Sequence, residues 1–219
     1  QNQMRIQTFK QNFKRVIRQL GIEPKDSMRV LDVGCAGGAF PKAAFDLGFR
    51  VTGVEPSKWM VEEGLNLYGL DLRAGTLEDQ KFGDSEFGIV TLWDVIEHLA
   101  DPMLVMKEVN RIMSSSGLLT LTTPDVGSVL AKLQGKSWRL YDPPYHLSYF
   151  SHKTIRRLLE ASGFTVAQIK YSWESHTLRY IFYALCDYYD NWLFRTLKAI
   201  TQKTIIGNIP IHITAFDIM

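Results

Sequence analysis

Apolar residues recur at helical spacing at the start of the chain. Phe9, Phe13, Val16, Ile17 and Leu20 fall on one face with basic and amide residues between them, and Gly21 follows as a stop. The pattern predicts an amphipathic helix within residues 1–21. Short apolar runs at 29–33, 51–55, 72–74, 87–93 and 118–122 then read as buried strands. Helical patterns lie between most of them. One ends before Gly48, one near Gly69, and one opens with Asp101 as N-cap and Pro102 at its first position. Such alternation predicts an α/β chain: a parallel sheet with helices on both faces.

The pattern changes after Pro124. A short helix to Leu133 and an aromatic, proline-containing stretch over 138–150 together make 124–150 read as a lid. Ser151 is placed to cap a helix through Ser162 that stops at Gly163, and a strand is expected near 164–170. Leu178, Ile181, Phe182, Leu185, Tyr189, Trp192, Leu193 and Ile200 trace one face of a long helix, and 209–218 closes as a strand. No repeat, low-complexity tract or linker interrupts this order, so 1–219 reads as one domain. The chain begins at Gln1 and stops at Met219 inside an alternating run; trimmed ends are expected, with the last strand near the natural end of the domain.

Composition narrows the function classes. A hydrophobic share of 46% and a charged share of 22% are those of an ordinary folded chain and exclude disordered, collagen-like and coiled-coil readings. The net charge of +2 argues against nucleic acid or an anionic membrane as the main partner. Two cysteines, Cys35 and Cys186, supply neither a disulfide framework nor a four-cysteine zinc site, so a reducing cytoplasm is the default location. No run approaches the roughly eighteen apolar residues of a membrane-crossing helix.

The most informative segment is Val30-Leu31-Asp32-Val33-Gly34-Cys35-Ala36-Gly37-Gly38, a buried strand running into glycines before a helix. Small residues there let backbone approach a ligand at the carboxyl end of the first strand, beside the switch point of an open parallel sheet. Glu55 closes the second strand, where a carboxylate accepts hydrogen bonds from both ribose hydroxyls. A dinucleotide loop would carry glycine where this chain has Ala36 and Ala39, and would not place a carboxylate at Asp32, which instead suits an ammonium group.

These segments resemble the class I S-adenosylmethionine-dependent methyltransferases over nearly the whole chain. Leu31 to Gly38 looks like the family's first motif, Val54-Glu55-Pro56-Ser57 like its ribose-binding second, and Gly75-Thr76-Leu77-Glu78 like the segment framing adenine. Residues 87–98 resemble the fourth strand and its turn, and Gly117-Leu118-Leu119 the start of the fifth. Residues 144–151 resemble a bacterial subgroup similar to the ubiquinone-pathway O-methyltransferases. Ala36 departs from a frequent glycine and crowds the loop. The resemblance implies a Rossmann-like, seven-stranded, mostly parallel sheet whose antiparallel last strand, 209–218, follows a helical insertion at about 174–207. It implies S-adenosylmethionine as cofactor, held by Asp32, Gly34, Cys35, Ala36, Gly38, Glu55, Pro56, Leu77, Glu78 and Trp93.

Methyl transfer needs the acceptor atom held in line behind the methyl group, and a base only if the acceptor loses a proton. His146, in the expected lid, is the candidate base, against a packed corner in which it bonds backbone. Asp94, Glu97 and His98, at i, i+3 and i+4, would share one face of a helical turn and, with His146, could ligate a divalent metal. The pattern is similar to the metal site of small-RNA terminal 2′-O-methyltransferases; capping and sheet-edge bonding is the favoured alternative, with no metal. Trp93, Trp138, Tyr141, Tyr145 and Tyr149 either line an acceptor pocket or simply pack. The expected activity is methylation of a small molecule at oxygen. An RNA-end 2′-O-methyltransferase and a non-catalytic cofactor-fold binding protein are the alternatives. The aromatic helix from Leu178 is read as core packing or a homodimer surface, ahead of a lipid contact.

Overall fold

The computed structural model describes residues 2–23, 28–177, 182, 186, 192–204 and 210–218, with backbone alone for 172–177 and 210–218. Two compact units are formed, one by 1–172 with 216–219 and the other by 173–215.

In the first unit, α1 (Asn2–Gln19) precedes β1 (Arg29–Val33), α2 (Ala39–Phe45), β2 (Arg50–Glu55), α3 (Lys58–Tyr68) and β3 (Asp71–Ala74). Next come β4 (Phe87–Trp93), α4 (Pro102–Ile112), β5 (Met113–Pro124), α5 (Val129–Gln134) and α6 (His152–Ala161). Five strands lie parallel in the order β3-β2-β1-β4-β5, with register pairs such as Asp32↔Gly53 and Asp32↔Thr91. The order reverses between β1 and β4, so the carboxyl ends of these two strands flank the switch point where open sheets bind ligands.

Alternation along β1 assigns the two faces. Val30 packs with Val51 and Ile89 against Phe13 and Ile17 of α1 and Phe40 of α2. Leu31 and Val33 point the other way, into a larger cluster with Val90, Leu92, Met106 and Val109. Both faces are therefore covered, which explains why the strands are apolar runs rather than alternating ones. The leading helix ends as its sequence predicts: Gly21 is left-handed at φ 64°, and Ile22 N–H reaches back to the Ile17 carbonyl at 2.8 Å. Ser57 and Asp101 cap α3 and α4 through Met60 and Leu104, and Ser151 with Thr154 forms a capping box on α6.

Some boundaries differ from expectation. Residues 164–170 are irregular, and a strand, β6, occupies Tyr171–Thr177 instead. Phe164, Val166 and Ile169 pack onto the larger core cluster, so their alternation reflects burial without strand pairing. β5 begins at Met113, earlier than the apolar run at 118–122, because Ser114, Ser115 and Ser116 extend it. Antiparallel pairing of β7 (Pro210–Ile218) with β5 consists of Thr123↔Ile218 and Pro124↔Asp217.

The second unit contains most of β6, a helix α7 (Trp192–Lys203) and the start of β7. Of the long aromatic helix expected there, Phe182 is helical and Trp192, Leu193 and Ile200 belong to α7. Leu178, Ile181, Leu185, Tyr189 and Ile209 lie outside the described residues.

Candidate functional site

At the end of β1 the backbone turns sharply. Gly34 takes φ 72°, and its N–H and that of Cys35 donate to the Val54 carbonyl at 2.8 and 3.0 Å, pinning the loop to β2. A Cβ on Gly34 would stand 2.4 Å from Val95 Cγ2, so the position demands glycine for both its dihedral and its neighbour. Ala36 also lies in the left-handed region, at φ 46°, which an L-residue adopts only with strain. Its N–H donates to Glu55 Oε2 and that of Ser57 to Glu55 Oε1, both at 3.0 Å. Glu55 thus clamps the loop to the end of β2 while keeping acceptor capacity on each oxygen.

Asp32 is buried, and Thr91 Oγ1 donates to its Oδ1 at 2.6 Å. Burial pushes the Asp32 carboxyl up to about 8, against the Thr91 hydrogen bond, with the Glu55 charge adding to the rise. A cavity of about 230 Å³ opens over this segment. Of the sequence candidates, Asp32, Gly34, Cys35, Ala36 and Trp93 line it. Gly38 instead starts α2 at φ 81°, Pro56 and Glu78 are exposed, and Leu77 is buried in the larger core cluster. The Cys35 thiol is pushed above its ordinary range, first by burial and then by the charges of Asp32 and Glu55, which suits a space-filling residue and not a nucleophile.

The second constellation follows β4. Asp94 is not helical: it sits at φ 55°, its N–H and carboxylate both engaged by Thr122, and the 3₁₀ turn begins only at Ile96. The shared face expected of Asp94, Glu97 and His98 therefore does not form. Glu97, His98 and His146 do converge, with one ligand atom from each within 4.8 Å of the others. The Glu97 carbonyl accepts from Leu147 N–H at 2.8 Å and Ser148 N–H at 3.0 Å, which draws the 138–150 segment onto this turn. His98 Nδ1 lies 2.7 Å from the Tyr145 carbonyl and His146 Nδ1 2.7 Å from the Leu140 carbonyl. A carbonyl only accepts, so each Nδ1 carries the proton and each ring's free lone pair is at Nε2.

Glu97 is 2% exposed and its Oε2 has no hydrogen-bond partner. Burial pushes its carboxyl up to about 7, the Asp94 charge adding to the rise while its own backbone, Thr123 and His98 oppose it. The Thr123 hydroxyl lies near enough to favour the charged form but outside hydrogen-bonding geometry.

A family described as "Methyltransferase domain" matches residues 4–169, the span that carries both constellations. The chain belongs to that family. Ubiquinone biosynthesis O-methyltransferase of Parvibaculum lavamentivorans is 29% identical to this methyltransferase domain over 110 residues, 47% of this chain and 42% of that one. The chain thus spans less than half the length of the curated relatives it matches. A Thermotoga maritima structure described as an S-adenosylmethionine-dependent methyltransferase, possible histamine N-methyltransferase, superposes with TM-score 0.58 at 25% identity, covering 81% of this chain and 77% of that one. The YcgJ protein of Bacillus subtilis superposes with TM-score 0.62 over 95% of each chain at 20% identity, which speaks for the fold alone.

Several residues around the methyltransferase cavity are not among the site candidates that the sequence offers. Asn2, Arg5 and Phe9 of α1 and Trp59, Met60, Glu63 and Tyr68 of α3 line it. The amphipathic period of α1 points to packing, and nothing in it tells that one end of the apolar face looks onto a cavity. The aromatic candidates divide. Trp93 lines the cavity and Trp138 is buried, whereas Tyr141 and Tyr145 are exposed, and Tyr149 stacks at 4.8 Å on Tyr141. His152 lies 3.6 Å from buried Asp125 and outside the Glu97 cluster. No helix among the described residues is long and apolar enough to cross a membrane.

Proposed function

We propose that this chain moves the methyl group of S-adenosylmethionine to a hydroxyl oxygen of a small molecule. The observation that carries the reading is the cavity over Asp32 and the glycine loop, at the switch point of a parallel sheet. S-adenosylmethionine supplies an electrophilic methyl on a sulfonium. Asp32 accepts the ammonium of its amino-acid end, Glu55 with Pro56 receives the ribose hydroxyls, and Leu77 and Glu78 frame the adenine. Gly34, Cys35, Ala36 and Gly38 shape the loop, Gly38 from the start of α2. The second unit serves as an insertion into a single domain. Its closing strand is the antiparallel seventh, a reading supported by the Thr123↔Ile218 and Pro124↔Asp217 pairs.

Oxygen is the preferred acceptor because several curated relatives are named O-methyltransferases. His146 Nε2 would take the hydroxyl proton as the acceptor oxygen gains the methyl group, with S-adenosylhomocysteine as the other product. The bond from His146 Nδ1 to the Leu140 carbonyl supports this role by fixing the ring with Nε2 free. The reading places the enzyme in the cytoplasm. The same reading includes a homodimer through the aromatic segment that begins at Leu178.

One observation favours a second reading. The unpartnered Glu97 Oε2 and two imidazoles whose Nδ1–H groups are already committed present three acceptors to one another, a donor set suited to a divalent cation. Calorimetry with S-adenosylhomocysteine, followed by methyl transfer to a panel of hydroxylated aromatics and to RNA 3′ ends, tests these readings together. Micromolar binding and label in a small molecule are expected. No binding rejects the cofactor, binding without transfer to any acceptor supports a non-catalytic role, and label in RNA rejects the small-molecule acceptor. Transfer that survives chelation and gains nothing from Mg²⁺ or Mn²⁺ rejects the cation.

A further inference from the structure

The stretch 126–149 leaves the sheet after β5, carries His146, and returns at Phe150 just before α6. Its two ends are tied together. Asp125 forms an isolated parallel bridge with Phe150, and Val126 N–H donates to the Phe150 carbonyl at 2.9 Å. The Asp125 side chain, 3% exposed, reinforces this neck: its Oδ1 accepts from Gly127 N–H at 2.8 Å and its Oδ2 from the Tyr171 hydroxyl at 3.1 Å. His152 Nε2 stands 3.6 Å from the same Oδ2, beyond hydrogen-bonding distance, and its ring centre lies 5.4 Å from that of Tyr171. Tyr171 is therefore the one side-chain hydrogen-bond donor to the Asp125 carboxyl among the described residues. A buried carboxyl that loses a donor is costly, so the neck depends on this hydroxyl. Tyr171 opens β6 and follows 164–170, where Phe164, Val166 and Ile169 pack on the larger core cluster. It reaches the neck from the scaffold, not from the stretch that the neck closes.

We infer that Tyr171, acting through Asp125, is a positioning residue for His146. Hydrogen bonds bind 126–149 to the scaffold at the neck and at the Glu97 carbonyl, which receives the Leu147 and Ser148 N–H groups. Within the stretch, the Leu140 carbonyl holds His146 Nδ1, so the imidazole moves with the segment that carries it. Loosening the neck lets 138–150 shift against the Glu97 turn, and a displacement of about 1 Å at a reacting group costs up to about 10²-fold in rate. The glycine loop is pinned to β2 through the Val54 carbonyl and shares none of these ties. Loss of the tyrosine hydroxyl therefore slows proton transfer and leaves cofactor affinity alone. This role rests on the reading of His146 as the proton acceptor and adds to it what holds that imidazole in place.

The test is Tyr171→Phe, which deletes one hydroxyl at a residue 37% exposed and so leaves the fold intact. Amide hydrogen exchange, which needs no acceptor molecule, compares Leu147 and Ser148 with Gly34 and Cys35. Exchange about tenfold faster at the first pair, with the second pair unchanged, is expected. Turnover is then measured for the wild-type chain, Tyr171→Phe, His146→Ala and the double variant, with whichever hydroxylated aromatic the wild-type chain methylates. Tyr171→Phe should lose about tenfold in kcat, keep its affinity for S-adenosylhomocysteine within about twofold, and cost nothing more once His146 is gone. Four results overturn the role of Tyr171 and leave His146 as the base: unchanged exchange at Leu147 and Ser148, equal acceleration at all four amides, a normal kcat in Tyr171→Phe, or a loss that persists in the His146→Ala background. Normal turnover by His146→Ala, or a wild-type chain that methylates none of the hydroxylated aromatics, overturns both.

Discussion

At the glycine loop, the partners are neighbours along the chain and in the sheet: Ala36 N–H bonds Glu55 across 19 residues, through two adjacent parallel strands. At the Glu97 turn, His98 Nδ1 bonds the Tyr145 carbonyl across 47 residues, through α4, β5 and then a segment that contains α5 and a 3₁₀ turn. The loop is held by backbone geometry that tolerates few residue types. The cluster is held by hydrogen bonds from imidazole N–H groups to carbonyls, with the Glu97 carbonyl accepting from the Leu147 and Ser148 N–H groups. The contrast implies separable duties. On the proposed function, the loop would fix a ligand common to a large family and the cluster would receive the part that differs between substrates, since segments lying outside a rigid scaffold vary most easily.

The harshest way to break the first region is Gly34→Ala. The new Cβ would meet Val95 Cγ2 at 2.4 Å while forced into a left-handed conformation, so a loss of about 3 kcal/mol is expected, together with cofactor binding. Thermal unfolding with and without S-adenosylhomocysteine measures both; an unchanged midpoint would mean that the loop is softer than its contacts suggest. The second region is broken by His146→Ala. Turnover should fall by about 10²-fold or more while affinity for S-adenosylhomocysteine stays within a factor of about two. A parallel loss of both would show that the two regions act as one.

The sequence made the first region legible because its constraints are local. A strand, a run of small residues and a carboxylate one strand further on are visible without knowing what packs on them, and Asp32, Gly34 and Glu55 stand where that pattern places them. The leading helix was legible as an amphipathic period, but Arg5 was not: its distinction is the cavity it faces, which only tertiary packing creates. In the second region helical spacing misassigned Asp94, because Thr122 takes both its N–H and its carboxylate and delays the turn. His146 is a candidate because it lies in the expected lid and carries an imidazole, yet its approach to His98 depends on the Glu97 carbonyl, an atom every residue has. The strand expected at 164–170 failed for a related reason, since apolar residues that face a core look alike whether or not they pair.

A pH titration sharpens the comparison by separating the two buried carboxyls. Asp32 is raised from 3.8 to about 8, so the folded chain binds its proton more tightly than the unfolded chain. Stability from this group is full below about 4 and declines as pH rises through about 8. Glu97, raised from 4.5 to about 7, contributes with the same sign over a narrower window. Asp32→Asn should flatten the upper part of the profile, between about 7 and 8, and leave the Glu97 part in place. Because an ammonium favours the ionised Asp32, affinity for S-adenosylhomocysteine should rise by up to about tenfold per pH unit below 8. A pH-independent affinity between 6 and 8 would show that Asp32 does not meet the ammonium.

The smallest expected effect probes the loop's one departure from glycine. Ala36 stands at φ 46°, where an alanine costs about 1–2 kcal/mol relative to its preferred conformations. Glycine removes that strain but adds about 0.5–1 kcal/mol of backbone freedom to the unfolded chain. The two terms leave Ala36→Gly more stable by about 0.5–1 kcal/mol, a gain of a few degrees or less in a domain of this size. The N–H that Ala36 donates to Glu55 is retained in the variant, so ribose recognition should survive with it. If Ala36→Gly is instead less stable, the methyl group packs usefully in the loop, and the crowding expected from the sequence is a contact that supports the glycine turn.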